Sequence, residues 1–133
     1  MRAMIAGIGV DIVEVGRVKD LLTRYRDRFV RRVFTDAEAR YAGGSVREAE
    51  RLAGRFAVKE AVLKAFGTGK SHGILWRDVE TVRGPMGRPE VILYGKALKH
   101  LKKMNGSGIH VSITHDGGKA VAFVIIETGR ELP

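Results

Sequence analysis

The chain contains no cysteine, so disulfides and thiolate metal sites are excluded. No apolar run approaches the roughly 20 residues that a bilayer span requires. The start, Met1-Arg2-Ala3-Met4-Ile5, lacks the apolar core of a secretory signal. A cytoplasmic location with no membrane partner is therefore the expectation. Aromatic residues are sparse at 7%, and no recognition motif for DNA or RNA appears. Two nucleotide-binding patterns also fall short. Gly7-Ile8-Gly9 opens like a dinucleotide fingerprint, but its third glycine would fall on Ile12. Gly69-Lys70-Ser71 resembles the end of a phosphate-binding loop, but the loop's first glycine would fall on Lys64, and the segment follows a helical pattern where a strand is required.

What is present fits one compact α+β domain over residues 1–133. Hydrophobic residues make up 44% of the chain, enough for a core, and charged residues 29%. The formal net charge is +9. Such a balance attracts anions and leaves their class open: nucleic acid, an acidic protein, a phosphorylated small molecule or an anionic surface. A small basic nucleic-acid-binding module is the competing reading, supported by charge alone.

Ile5 to Val13 is apolar and β-branched and reads as a buried strand, with Gly7 and Gly9 permitting close approach by a backbone or a ligand. Gly16 to about Arg32 reads as a helix. Val18, Leu22, Tyr25 and Phe29 form its core stripe, and Arg17, Leu21, Arg24, Arg28 and Arg31 form a basic ridge with one leucine in it. Thr35 and Glu38 have capping-box spacing for a short helix that ends near Gly43-Gly44. A longer helix runs from about Arg47 to Phe66, with Leu52, Phe56, Leu63 and Phe66 inward and Gly67 as its stop. Beyond the glycine-rich loop 67–73 come strands at 78–83 and 90–94, joined by turn chemistry at 84–87, and a helix at 96–104. Strands at 109–114 and 120–127 close a hairpin over Asp116-Gly117-Gly118, with a frayed tail after Glu127. Hairpin strands with grouped helices predict a largely antiparallel sheet with helices packed on one side.

Three places carry chemistry. Asp11 lies near the end of an apolar strand, so its carboxylate needs a partner, a cation or a capping role for the next helix. Glu60 and Lys64 are one turn apart, which suits an ordinary surface ion pair; yet Ala57, Ala61 and Ala65 flank them, and the helix runs straight into Gly67-Thr68-Gly69. Ser112 and Thr114 share one strand face, with Val111 and Ile113 on the other and His115 at the end. No Ser-His-Asp arrangement or zinc-ligand spacing can be argued. A hard-cation site of few carboxylates, completed by phosphate and water, remains open.

Three segments together resemble holo-acyl-carrier-protein synthases, the short bacterial type of 4′-phosphopantetheinyl transferase. They are Gly7-Ile8-Gly9-Val10-Asp11-Ile12 followed by Arg17; Arg55-Phe56-Ala57-Val58-Lys59-Glu60-Ala61 continuing through Lys64-Ala65-Phe66-Gly67-Thr68-Gly69; and Val111-Ser112-Ile113-Thr114-His115. The resemblance covers nearly the whole chain and implies that family's fold. It implies transfer of phosphopantetheine from coenzyme A to a serine of an acidic acyl carrier protein, in fatty-acid or polyketide biosynthesis. Asp11 and Glu60 match the family's magnesium-binding carboxylates, and Lys64 matches the lysine beside the phosphates. Gly67 and Gly69 would border the nucleotide, and Ser112, Thr114 and His115 match a motif lining the coenzyme site. Larger relatives carry a third acidic ligand where Val13 stands here, which implies a two-carboxylate Mg²⁺ site. Arg17, Leu21, Arg24 and Arg28 would form the ridge that docks the carrier. The resemblance also implies a homotrimer with active sites at subunit interfaces.

Overall fold

The computed structural model describes residues 4–129; Met1–Ala3 of the expected start and residues 130–133 of the expected frayed tail lie outside the described residues. In chain order the elements are β1 (Met4–Glu14), α1 (Val15–Val33), α2 (Asp36–Ala42), α3 (Glu48–Phe66), β2 (Val79–Arg83), β3 (Pro89–Leu93), α4 (Gly95–Lys103), β4 (Gly106–Asp116) and β5 (Lys119–Thr128). The expected α+β class holds. Its strands divide into two antiparallel sheets: a three-stranded sheet in the order β1-β5-β4, and the separate hairpin β2-β3.

The long helix α3 lies across one face of the three-stranded sheet. Leu52, Ala57, Val58, Ala61 and Val62 on the helix are almost wholly buried, as are Ala122, Val124 and Ile126 on β5. Each fully buried large aliphatic or aromatic side chain contributes about 1.5–3 kcal/mol. Small residues on both partners let helix and sheet come unusually close. A Cβ at Gly7 would overlap the carbonyl oxygen of Ala65, and one at Gly9 would overlap that of Ala61. The two glycines of the opening strand are therefore the contact surface for a helix backbone.

The basic helix α1 departs from its expected pattern at one residue. Tyr25, expected in the core stripe, is 49% exposed. Its backbone (φ −138°, ψ 37°) breaks the helical twist there and turns the ring outward. Phe29 stays against the core, edge-on to Phe34 with ring centroids 5.4 Å apart. The capping box forms as expected: Thr35 Oγ1 accepts from the Glu38 amide at 3.2 Å, and Glu38 Oε1 accepts from the Thr35 amide at 3.0 Å.

The helix–strand contact gives a paired prediction. Gly9→Ala should lower unfolding free energy by at least about 2 kcal/mol, because a backbone carbonyl cannot move aside cheaply. Gly16→Ala should be neutral or stabilising by up to about 1 kcal/mol, since it lies in a helix with nothing within 4 Å of the added carbon. Urea denaturation measures both, and equal stabilities would refute the close contact.

Candidate active site

Side chains alternate along β1, so Gly7, Gly9, Asp11 and Val13 face α3. The glycines bring the helix down, and at Asp11 it presents the turn that carries Glu60 and Lys64. Lys64 Nζ donates to Asp11 Oδ1 at 2.8 Å and to the Val10 carbonyl at 3.1 Å. Asp11 therefore does not cap α1, whose N-cap residue, Glu14, makes no side-chain capping bond. Lys64 reaches across to the strand instead of pairing back along its own helix. Asp11, Glu60, Arg17, Leu21 and Phe56 line one cleft of about 370 Å³.

The charges in this cleft are out of balance. Burial pushes the Glu60 carboxyl above its usual range, and the neighbouring Asp11 charge adds to the push; Lys64 and Arg17 pull it back. Lys64 is raised, chiefly by its hydrogen bond to Asp11. Two oxygen-donor side chains that face one space suit a hard divalent cation. Among the described residues no group of three or more His, Cys, Asp or Glu could hold a metal. A cation held here would take two protein ligands and complete its shell with water or phosphate.

The rotation of α3 is fixed by a residue to which the sequence reading gave no role. Lys59 is fully buried and ion-paired with Glu38 at 2.8 Å. Its ammonium also donates to the carbonyls of Trp76 (3.0 Å) and Val79. Glu38 Oε2 accepts from the Thr81 amide at 2.9 Å. Successive helix residues point about 100° apart, so anchoring Lys59 toward α2 and β2 turns Glu60 toward β1 and α1.

The remaining expected site residues divide into groups. Gly67 ends α3 in the left-handed region (φ 78°), and the Thr68 amide returns to the Leu63 carbonyl at 3.2 Å. Gly67 and Gly69 are exposed in the loop just beyond Lys64. Ser112 and Thr114 lie opposite Phe123 and Val121 on the sheet face that points away from α3. His115 turns to the helix side, with Nε2 2.9 Å from the Glu50 carbonyl and 3.2 Å from where a Cβ at Gly54 would stand. The third motif thus spans both faces of the sheet, and within one chain Ser112 and Thr114 lie on the opposite face from Asp11. On α1, Arg17, Arg24 and Arg28 are exposed and unpaired among the described residues, and Leu21 is half-buried between them. Arg17, Leu21, Arg24 and the outward Tyr25 line a shallow second cleft of about 270 Å³ that adjoins the acidic one.

A cluster that the sequence reading missed sits beside His115. Arg51, Arg55 and Arg83 surround Tyr41, their guanidinium carbons 4.9, 3.9 and 5.8 Å from its ring centroid. With His115 they line a pocket of about 220 Å³. Arg55 is buried, its Nε has no hydrogen-bond partner, and burial presses its pKa down. Arg51 and Arg55 are legible as an i,i+4 pair; the arrival of Arg83 from the end of β2 is a tertiary fact. The pocket is built to take an anion.

Fold and clefts together define a small α+β protein in which Asp11, Glu60 and Arg17 line one cleft, Lys64 is bound to Asp11, and further clefts carry arginines. The chain belongs to the 4′-phosphopantetheinyl transferase superfamily, whose profile matches residues 7–124. It is 45% identical over 124 residues to the holo-[acyl-carrier-protein] synthase of Koribacter versatilis (strain Ellin345), covering 93% of this chain and 99% of that protein. Among solved structures it resembles the holo-[acyl-carrier-protein] synthase of Neisseria meningitidis (TM-score 0.83, 34% identity, 92% of this chain and 98% of that one). It also resembles the Helicobacter pylori synthase solved in complex with coenzyme A (TM-score 0.79, 28% identity, 90% and 98%).

The strained carboxylates yield a stability test. Glu60 has its folded pKa raised above the ordinary 4.5, so the native state holds that proton more tightly than the unfolded chain. Native stability from this group is therefore lost as pH rises from the ordinary value through the raised one. Glu60→Gln should remove that loss, giving a higher thermal midpoint than the wild type above the window and a smaller difference below it. A hard divalent cation should raise the wild-type midpoint and leave that of Glu60→Gln nearly unchanged. Parallel pH profiles would sink the assignment.

Proposed function

We propose that this chain is a holo-acyl-carrier-protein synthase that moves the 4′-phosphopantetheine group from coenzyme A to a serine of an acidic apo carrier protein, in fatty-acid or polyketide biosynthesis. The observation that carries this reading is the convergence of Asp11 and Glu60 on one cleft, with Lys64 held against Asp11 at 2.8 Å. In the transfer the serine hydroxyl gives up its proton to solvent or to the departing bisphosphate, and its oxygen forms a bond to the phosphorus that bears the pantetheine. The bond from that phosphorus to the bridging oxygen breaks, and adenosine 3′,5′-bisphosphate leaves. Mg²⁺ held by Asp11 and Glu60 would supply charge stabilisation on the phosphoryl oxygens.

The chain's own groups do the positioning. Asp11 and Glu60 orient the cation, and Lys64 places a further positive charge where the pyrophosphate would lie. The exposed Gly67 and Gly69 let a nucleotide approach the backbone next to Lys64. The arginine cluster beside His115 fits the coenzyme's remaining 3′-phosphate; Arg83→Ala should weaken coenzyme A while leaving dephospho-coenzyme A unaffected. Arg17, Arg24 and Arg28, with Leu21 among them, offer an acidic partner an electrostatic lead-in and one apolar anchor at the cleft's lip.

A homotrimer is supported by the sheet face that α3 leaves uncovered. Ile8, Val10, Ile12 and Phe123 stand there 42–59% exposed, in rows with Ile125 and Val121. A contiguous apolar face of this kind marks a protein interface. Ser112 and Thr114 lie on the same face, so association would carry them to a neighbouring subunit's coenzyme. The paired substitutions Val10→Asp and Phe123→Asp should give a folded monomer with little activity, read by sedimentation equilibrium and circular dichroism. A variant that stays trimeric would refute this interface.

Transfer itself is read by mass spectrometry. Incubation with apo carrier protein, coenzyme A and Mg²⁺ should add the phosphopantetheine mass, roughly 340 Da, and EDTA should prevent it. Asp11→Ala and Glu60→Ala should each lower turnover by at least about 10²-fold, in line with the loss of a charge-stabilising group. Charge reversal at Arg24 and Arg28 should raise KM for the carrier most at low salt, with KM for coenzyme A unchanged. An unmodified carrier would overturn the proposed activity.

A further inference from the structure

The chain at 72–74, where the glycine-rich segment ends, and helix α4 border an open pocket of about 280 Å³ that is lined by His72, Ile74, Lys96, Lys99, His100 and Lys103. No carboxylate lines it, and α4 contains no acidic residue. Among the described residues none of these three lysines has a hydrogen-bond or ion-pair partner. Three ammonium groups around one hollow repel one another unless an anion neutralises them. We propose that this pocket binds a small phosphorylated ligand, at a site separate from the acidic cleft and from the arginine cluster.

Two of the lining groups are already held in place, and a third lies across the chain. The Lys96 side chain lies over Gly73, where an added Cβ would meet its Nζ at 2.8 Å and its Cδ at 2.9 Å. Gly73 is left-handed (φ 73°), so its backbone disfavours any side chain. The His100 ring packs on Phe66, the last residue of α3, with centroids 4.7 Å apart. His72 sits in the left-handed region (φ 61°), an uncommon conformation for a non-glycine residue and one that clusters at functional sites. Its Nδ1 is 2.7 Å from Ser71 Oγ, and that hydroxyl already donates to the Thr68 carbonyl at 2.6 Å. Ser71 can therefore only accept from His72, which fixes a proton on Nδ1 and orients the ring; Nε2 donates to an anion in the imidazolium form.

The shape favours a small ligand over a polymer or a bilayer. The volume lies near the lower end of the small-molecule range, and its basic groups converge on one hollow instead of tracking along a surface. Lys102, on the same helix, is not among the groups that line it. Charge-assisted hydrogen bonds from several fixed donors are how phosphate groups are held. Because the pocket joins α4 to the segment that leaves α3 two residues after Lys64, occupancy would also tether that segment.

The test uses the full chain at fixed ionic strength, with inorganic pyrophosphate as the probe and the histidine ring resonances as the readout. The sequence has 4 histidines, so each can be followed. The His72 and His100 resonances should shift saturably, while His110, paired with Glu127 at 2.6 Å, stays still. Lys99→Glu should weaken that response by about tenfold or more, and the charge-matched Lys102→Glu should leave it unchanged. Neither substitution should alter the response of His115. Immobile His72 and His100 resonances, or equal weakening by both substitutions, would overturn the site. Lys99-dependent binding of phosphatidylglycerol vesicles or of a single-stranded oligonucleotide, tighter than that of pyrophosphate, would overturn the small-ligand assignment.

Discussion

The close contact of the α3 backbone with β1 is the constraint on which the rest of the molecule depends. It exists because Gly7 and Gly9 have no side chains where the carbonyls of Ala65 and Ala61 arrive. A larger residue at either position would lift the helix from the strand. The contact between Lys64 and Asp11, at 2.8 Å, could not survive such a shift. One strand thus does two jobs in successive inward positions, receiving the helix at Gly7 and Gly9 and meeting its functional turn at Asp11. Packing and chemistry share a single row of side chains, so the site is as rigid as the core.

Close approach fixes distance but not rotation, and the buried Lys59–Glu38 pair supplies the second constraint. A buried ion pair adds little net stability over an apolar substitute, while leaving either partner alone costs about 3–5 kcal/mol. What the pair contributes is uniqueness. Glu38 is committed four ways, to the Thr35 amide, its own capping bond, the Thr81 amide and Lys59. A rotated α3 would part the buried Lys59 ammonium from the buried Glu38 carboxylate and from the carbonyls of Trp76 and Val79. Glu60, the next residue, inherits its direction from that network.

The parts of this architecture that were legible in the sequence are those set by local periodicity. The order of helices and strands, the capping box at Thr35 and the glycine stop at Gly67 all follow from short-range rules. So does the split of Val111 and Ile113 from Ser112 and Thr114. Tyr25 shows the limit, because a break in the helix at that residue overrides the periodicity that would bury it. Gly7 and Gly9 announced a close approach without naming what approaches. Lys59 looked like any lysine beside a glutamate, because its partner Glu38 is 21 residues away. The arginine cluster is illegible for the same reason: Arg83 comes from another sheet. Asp11 and Glu60 were linked through a likeness between segments, since nothing in their spacing of 49 positions (60 − 11) brings them together.

The electrostatic layout divides its work by distance. The chain carries +9, yet its central cleft is acidic. Exposed arginines on α1 act at the range of a Debye length, about 8 Å in physiological salt, and draw anions of many kinds toward the molecule. They cannot tell a phosphate from a carboxylate. Discrimination belongs to groups that have given up solvent: Glu60, whose carboxyl is pushed upward by burial, and Arg55, whose buried Nε has no hydrogen-bond partner. Such groups are costly in the empty protein, and that cost is what a correct ligand relieves. The distant charge collects, the desolvated charge selects, and the glycine-mediated contact between α3 and β1 holds Lys64 against Asp11 at 2.8 Å.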